Sequence, residues 1–164
     1  MKESDEKILR EAVRGIEGEI RWREPLSRHT TLKIGGPADV LVIPKDREAL
    51  AHLVRRAHPL DAPIFVMGGS NLLVRDGGIR GIVVKLSRFQ RITDPNETEI
   101  EVEGGVPLSR LSRHALARGL SGLEFALGIP GTVGGAEVMN AGTREGEMSD
   151  RLTGDRIIES DGTI

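Results

Sequence analysis

Residues 64–78 read Ile64-Phe-Val-Met-Gly-Gly-Ser-Asn-Leu-Leu-Val-Arg-Asp-Gly-Gly78. The first four are wholly apolar, as expected of a strand buried on both faces of a sheet. Two glycines follow at once, then Ser70 and Asn71. Glycine directly after a buried strand lets a ligand approach the backbone, and successive N–H groups there form a nest for an anion. Ser70 and Asn71 add neutral donors, so the loop suits a pyrophosphate. The same residues equally suit a tight strand-exit turn. No Gly-Lys-Ser/Thr follows, which excludes a Walker A loop, and no Gly-x-Gly-x-x-Gly is present, which excludes a Rossmann fingerprint.

Upstream, residues 38–43 are an apolar strand stopped by Pro44. Asp46 is placed to cap a helix over 47–58, with Ala49, Leu50, Leu53, Val54 and Ala57 facing inward. Pro59 and Pro63 end it. Strand, helix and strand in this order make a βαβ unit with a parallel crossover. Downstream, residues 76–78 turn the chain and 82–86 read as a further strand. Further upstream, Arg28 to Pro37 is polar and ends in Gly35-Gly36-Pro37, a loop signal. Nearer the N-terminus, Ile8, Leu9, Ala12, Val13, Ile16 and Ile20 lie at spacings of three and four. They predict an amphipathic helix over 5–20, weakened by Gly15 and Gly18. Residues 1–24 are therefore set apart as an appended helical segment.

In the second half, residues 98–103 alternate strictly and predict a half-exposed strand. Pro107 suits the first position of a helix carrying Leu108, Leu111, Ala115 and Leu116 on one face, with Gly119 just past its end. Residues 122–146 then hold seven glycines in 25 positions. Within them 128–135 read Gly-Ile-Pro-Gly-Thr-Val-Gly-Gly, a rigid proline among stacked glycines. That pattern marks backbone packed against something flat or bulky, a ligand or another stretch of backbone. Residues 155–164 read as a strand entering an Asp161-Gly162 turn with no partner strand after it, which suggests a truncated fold.

Composition narrows the function. Glycine accounts for 21 of 164 residues, well above the usual share of about 7%. There is no cysteine, which excludes disulfide scaffolds, thiolate zinc sites and cysteine nucleophiles. The net charge of −2 argues against nucleic-acid binding driven by bulk positive charge. The aromatics are Trp22, Phe65, Phe89 and Phe125, with no tyrosine, too few for a base-stacking surface. No apolar run is long enough to span a membrane, and no secretory signal opens the chain, so a cytoplasmic protein is expected. His29, His52, His58 and His114 lack metal-ligand spacing, and no metal is expected. Glu99, Glu101 and Glu103 read as a solvated strand face. Asp76 is a turn residue, and Arg75 and Arg80 flank that turn. No Ser-His-Asp arrangement follows from spacing.

Four stretches together resemble the UDP-N-acetylenolpyruvoylglucosamine reductase family: residues 28–37 (Arg-His-Thr-Thr-Leu-Lys-Ile-Gly-Gly-Pro), 68–77, 119–125 (Gly-Leu-Ser-Gly-Leu-Glu-Phe) and 128–135, the last followed by Met139-Asn-Ala-Gly142. The resemblance runs from about residue 25 to the C-terminus. It implies an α+β fold, an FAD-binding domain of the vanillyl-alcohol oxidase type with two lobes, 25–88 and an incomplete 89–164, and no substrate-binding domain. It implies FAD between the lobes. The pyrophosphate would lie on the backbone of Gly68, Gly69, Ser70, Asn71, Leu72 and Leu73. Ile129, Gly131, Thr132, Gly134 and Gly135 would line the cofactor, with Asn140 close by.

The implied activity is NADPH-dependent reduction of the enolpyruvyl group of a small-molecule UDP-sugar in peptidoglycan precursor synthesis. The family's Tyr-Arg motif, proton-donating serine and assisting glutamate are expected beyond residue 164, so no catalytic residue is assigned and this chain alone is expected to be inactive. Neither a nucleic acid nor a membrane is an expected partner. Two local departures stand out. The loop after Met67 is one residue shorter than the family's Gly-x-Gly-Ser-Asn. Thr143-Arg144-Glu145-Gly146 also stands where an Ala-Tyr-Gly-like continuation is usual. Two other readings are an FAD-binding part of a different oxidoreductase of this fold, and a degenerate domain that acts by protein contact without flavin.

Overall fold

A computed structural model describes residues 3–164, which fall into two units. The first holds the chain up to Arg88 together with Arg156–Ile164, and the second is Phe89–Asp155. Helix α1 is Glu3–Ala12, with Glu3, Asp5 and Glu6 in its first turn and Arg10 in its last, the order the helix dipole favours. It stops well short of the predicted residue 20. A turn takes over after Ala12, and Ile20 lies instead on strand β1, Gly18–Trp22.

Strand β2, Ala38–Pro44, is buried at every position. Asp46 caps helix α2, Arg47–Ala57, by accepting the Ala49 N–H at 2.9 Å, as its place before the apolar stripe predicts. Strand β3 is Ile64–Met67 and strand β4 is Ile79–Lys85. The sheet order is β1-β2-β4-β3, with β1 antiparallel to β2 and β4 parallel to both β2 and β3. The two strands of the βαβ unit are thus parallel but not adjacent, because β4 lies between them. This position also corrects the expectation for β3. As an edge strand it leaves Phe65 40% and Val66 55% exposed, whereas the doubly buried strands are β2 and much of β4. The β2–β4 register shifts between Ala38 and Val40. There buried Asp39 accepts the Gly81 N–H at 3.0 Å and pairs with Arg80 at 2.8 Å, so Arg80 is engaged by the sheet.

Of residues 1–24, expected as an appendage, Leu9 to Trp22 instead contribute to this unit's core; residues 1 and 2 lie outside the described residues. Leu9, Ala12, Val13 and Ile16 are buried with Val40, Val42, Leu53, Ile82 and Val84, and Ile20 and Trp22 pack against them. The apolar stripe does have an inward face, but the face belongs to the sheet. On the other face Leu26, Ala38, Leu41, Met67, Val74 and Val83 form a separate buried cluster. Arg156–Ile164, expected in the second lobe, groups with the first unit. It carries the predicted turn, with the Gly162 N–H donating to the Glu159 carbonyl at 2.9 Å. It forms no strand, and Arg55 of α2 donates to the Gly162 carbonyl at 3.0 Å.

The second unit has short strands β5, Ile92–Thr93, and β6, Glu101–Val102, so the alternating run 98–103 pairs over only two residues. Helix α3 is Leu108–Ala117, with Pro107 as its N-cap. Gly119 and Leu120 donate to the Leu116 and Ala115 carbonyls, a Schellman stop that glycine permits. Leu108, Leu111 and Ala115 are buried as predicted, but the fourth inward position is Ser112, and Leu116 is 77% exposed. Helix α4 is Val133–Val138, and strands β7, Gly142–Thr143, and β8, Gly146–Glu147, close a small hairpin. Among the described residues no helix is long and apolar enough to cross a membrane.

Candidate functional site

The loop after β3 has the chemistry of an anion cradle. Met67 is buried at the end of the strand. Gly69 then adopts a φ of +88°, and a Cβ there would run into the His29 carbonyl oxygen. Only glycine meets both demands. The Gly69 carbonyl accepts from the Thr31 N–H at 3.0 Å and the Thr31 hydroxyl at 3.3 Å. The loop is therefore pinned to the Arg28–Pro37 stretch by Gly69, whose carbonyl is taken up by Thr31. Leu72 and Val74 hold the other end in the buried cluster with Met67 and Val83, while Leu73 is 69% exposed. Between these anchors none of the backbone N–H groups of Gly69, Ser70, Asn71, Leu72 and Leu73 donates to another described residue. The side chains of Ser70 and Asn71 make no hydrogen bond among the described residues either. A run of open donors held by a glycine-only turn suits an anionic group.

Behind the loop lies a polar cluster that sequence spacing did not single out. Glu24 is buried, and its Oε1 lies 2.9 Å from His29 Nε2 and accepts from Arg21 at 3.1 Å. Arg28 approaches its Oε2 at 3.9 Å. The opposite ring nitrogen, His29 Nδ1, lies 3.2 Å from Lys85 Nζ. An ammonium has no lone pair and must donate, so Nδ1 accepts and the imidazole carries its proton on Nε2, aimed at Glu24. The hydrogen bond from His29, aided by Arg21, holds the Glu24 carboxyl below the usual carboxylate range against the opposing effect of burial. His29 sits inside the quoted 28–37 stretch, but its partners come from residues 24 and 85, which no local pattern joins.

In the second unit the glycine-rich segment answers mostly to its own backbone. The Leu108 N–H donates to the Gly131 carbonyl at 3.0 Å, the Val133 N–H to Val106 at 2.8 Å and the Gly134 N–H to Gly104 at 2.9 Å. A Cβ on Gly134 would stand 3.2 Å from Gly104, so this glycine serves close packing of α4 against the 104 turn. Thr132 caps α4, its hydroxyl accepting from Gly135 at 3.4 Å. Ile129 packs against the second core. The N–H groups of Gly131 and Thr132 donate to no described residue.

Asn140, past the end of α4, takes a φ of +44°. Its amide donates to Glu147 at 2.9 Å, and its carbonyl oxygen accepts the Ser149 N–H at 3.0 Å. Asn140 therefore braces the β7–β8 hairpin with both ends of its side chain. Nearby, burial first and then Asp155 push the Glu137 carboxyl above its ordinary range. The residues expected to bind the cofactor thus form two groups, 68–73 in the first unit and 129–140 in the second.

Comparison with known proteins agrees with this architecture. The chain matches the family described as "FAD binding domain" over residues 38–164. It is similar to the UDP-N-acetylenolpyruvoylglucosamine reductase of Bacillus subtilis, 46% identical over 160 residues, covering 97% of this chain and 53% of that protein. It is also similar to the crystal structure of UDP-N-acetylenolpyruvylglucosamine reductase from Thermus caldophilus, with a TM-score of 0.63, 42% identity, and coverage of 82% of this chain and 46% of that one. A more distant likeness, to the 4-ethylphenol oxidase of Gulosibacter chungangensis, has a TM-score of 0.51 at 20% identity, covers 73% of this chain and 25% of that one, and bears on the fold alone. The chain spans about half the length of the curated relatives it matches.

Proposed function

The chain belongs to the FAD binding domain family, and from that premise we propose that residues 68–73 hold the cofactor's pyrophosphate through their backbone N–H groups. The observation that carries this is the run of undonated amides from Gly69 to Leu73 beside a carbonyl taken up by Thr31. Neutral amides bind an anion without a counter-ion to displace. The residues at 129–140 take a different part. Gly131 and Thr132 offer N–H groups, Gly134 and Gly135 let the start of α4 pack closely on the 104 turn and on Thr132, and Ile129 gives an apolar patch. Asn140 keeps the hairpin beside α4 in place. When bound, FAD supplies two-electron transfer chemistry that no side chain here provides.

The reaction we propose for the protein to which this domain contributes is NADPH-dependent reduction of the enolpyruvyl group of a UDP-sugar, in the cytoplasm, within the synthesis of cell-wall precursors that underlies cell shape and division. Identity of 46% over 160 residues with a reductase of that name supports it. No residue among these 164 is assigned to proton transfer.

Titrating FAD into the flavin-free protein tests the binding, with flavin fluorescence as the readout. Saturable one-to-one quenching at sub-micromolar protein is expected; absence of binding overturns the proposal. An NADPH assay with the UDP-enolpyruvyl sugar is expected to give no turnover, and substantial turnover would mean the proton donor lies within these residues after all.

A further inference from the structure

We propose that Lys85 is a cationic partner for the phosphate groups held by residues 68–73, and that Glu24 and His29 are the positioning residues that aim it. The proposal deepens the FAD reading above and rests on it. Lys85 is the last residue of β4 and stands in register beside Met67, the last residue of β3. The cradle begins at the next residue. In sheets with parallel strands, ligands collect beyond the carboxyl ends of the strands, and both ends meet here.

Side chains alternate along a strand, so Lys85 shares its face of the sheet with Val83. Val83 is buried with Met67, Val74 and the packed side of Leu72. The Lys85 side chain therefore leaves the sheet on the face over which the loop folds back.

His29 joins the two features physically. Its carbonyl oxygen occupies the space where Gly69 would carry a side chain, and its Nδ1 accepts from the Lys85 ammonium at 3.2 Å. Thr31, two residues on, holds the Gly69 carbonyl. One short segment thus fixes both the turn that opens the cradle and the cation beside it.

Lys85 is the group in this cluster with unused capacity. An ammonium has three donors, and among the described residues His29 is its one hydrogen-bond partner. Glu24, the nearest carboxylate in the cluster, lies across the imidazole and is shared with Arg21 and Arg28. The lysine charge is therefore aligned but not cancelled by a direct ion pair. Backbone amides carry partial charges, and an ammonium adds a charge-assisted bond of the kind a pyrophosphate accepts. Glu24 fixes the imidazole proton on Nε2 and so keeps Nδ1 free to receive Lys85.

The test compares FAD with riboflavin, which has the same ring system and no phosphate. Binding of each is measured by fluorescence for the wild type, Lys85→Met, Lys85→Arg and Glu24→Gln, across a salt series. Lys85→Met is expected to weaken FAD binding about tenfold or more, the scale of one charge-assisted contact, with riboflavin affinity unchanged and a shallower salt dependence for FAD. Lys85→Arg should stay within a few-fold of wild type, and Glu24→Gln should lose part of what Lys85→Met loses. Equal FAD affinity in wild type and Lys85→Met overturns the proposal. So does an equal loss of FAD and riboflavin, which would make Lys85 structural. If Lys85→Met does not fold, Lys85→Gln is read by the same criteria. Failure of the wild type to bind FAD overturns the cofactor reading itself and is visible without any variant.

Discussion

Gly69 and Gly128 belong to the two glycine-rich clusters that the sequence makes conspicuous, but they differ in what they do. Gly69 has a left-handed backbone and no room for a Cβ, whereas nothing lies within 4 Å of a Cβ on Gly128. Gly69→Ala is expected to destabilise the protein by about 1–3 kcal/mol and to abolish measurable FAD binding. Gly128→Ala should stay within about 0.5 kcal/mol of wild type. Thermal unfolding paired with FAD titration checks both.

Two carboxyls give opposite pH signatures. Glu24 is held below its ordinary range, so its contribution is complete above that range and is lost as pH falls through its folded value. Glu137 is pushed above its range, so its folded form is favoured in acid and loses ground as pH rises. At neutral pH Glu24→Gln should therefore lower the urea midpoint and Glu137→Gln should raise it. Both differences should shrink in acid.

The open-donor loop was legible because its residues are consecutive. The Glu24–His29–Lys85 chain was not, because hydrogen bonds between residues 24, 29 and 85 leave no periodic trace. His29 read as one histidine among four without ligand spacing.

At the scale of elements, local chemistry was a good guide wherever a single residue decides a boundary. Asp46 caps α2, Pro44 closes β2 and Gly119 stops α3, each for a reason confined to a few neighbouring atoms. Burial was less legible, since it depends on what arrives from elsewhere. The run 64–67 is as apolar as a central strand, yet β4 takes the central place and leaves β3 at the edge. The stripe from Ile8 to Ile20 has helical spacing throughout, yet its last member pairs with β2 as a strand.

That last correction changes what α1 is expected to contribute. Leu9 is buried in the same cluster as Val13, Leu53 and Ala57, so Leu9→Ala should destabilise the protein by about 2–4 kcal/mol. An equivalent truncation at exposed Leu116 should fall within about 0.5 kcal/mol of zero. Urea unfolding of the two variants decides whether α1 is part of the core or an appendage.

Across the whole molecule, the α+β class and the cofactor family came from the resemblance that the four quoted stretches carry together, not from the glycine clusters by themselves. The assignment of the final residues was not. A turn at Asp161-Gly162 is a local signal, but its packing partner is α2, more than a hundred positions upstream by the Arg55–Gly162 hydrogen bond. Ending the chain after Asp155 should therefore loosen the first unit rather than the second. Hydrogen exchange is expected to quicken in α2 and to stay unchanged in α3.

The return of residues 156–164 to the first unit also sets an order in time. A ribosome releases α1, the four-stranded sheet and α2 first, then all of Phe89–Asp155, and only afterwards the segment that meets α2 at Gly162. The second unit is in effect an insertion, synthesised before the segment that returns to α2. The nascent protein should then pass through a stage in which the sheet and its 68–73 loop are already formed while α2 still lacks its contact with residues 156–164.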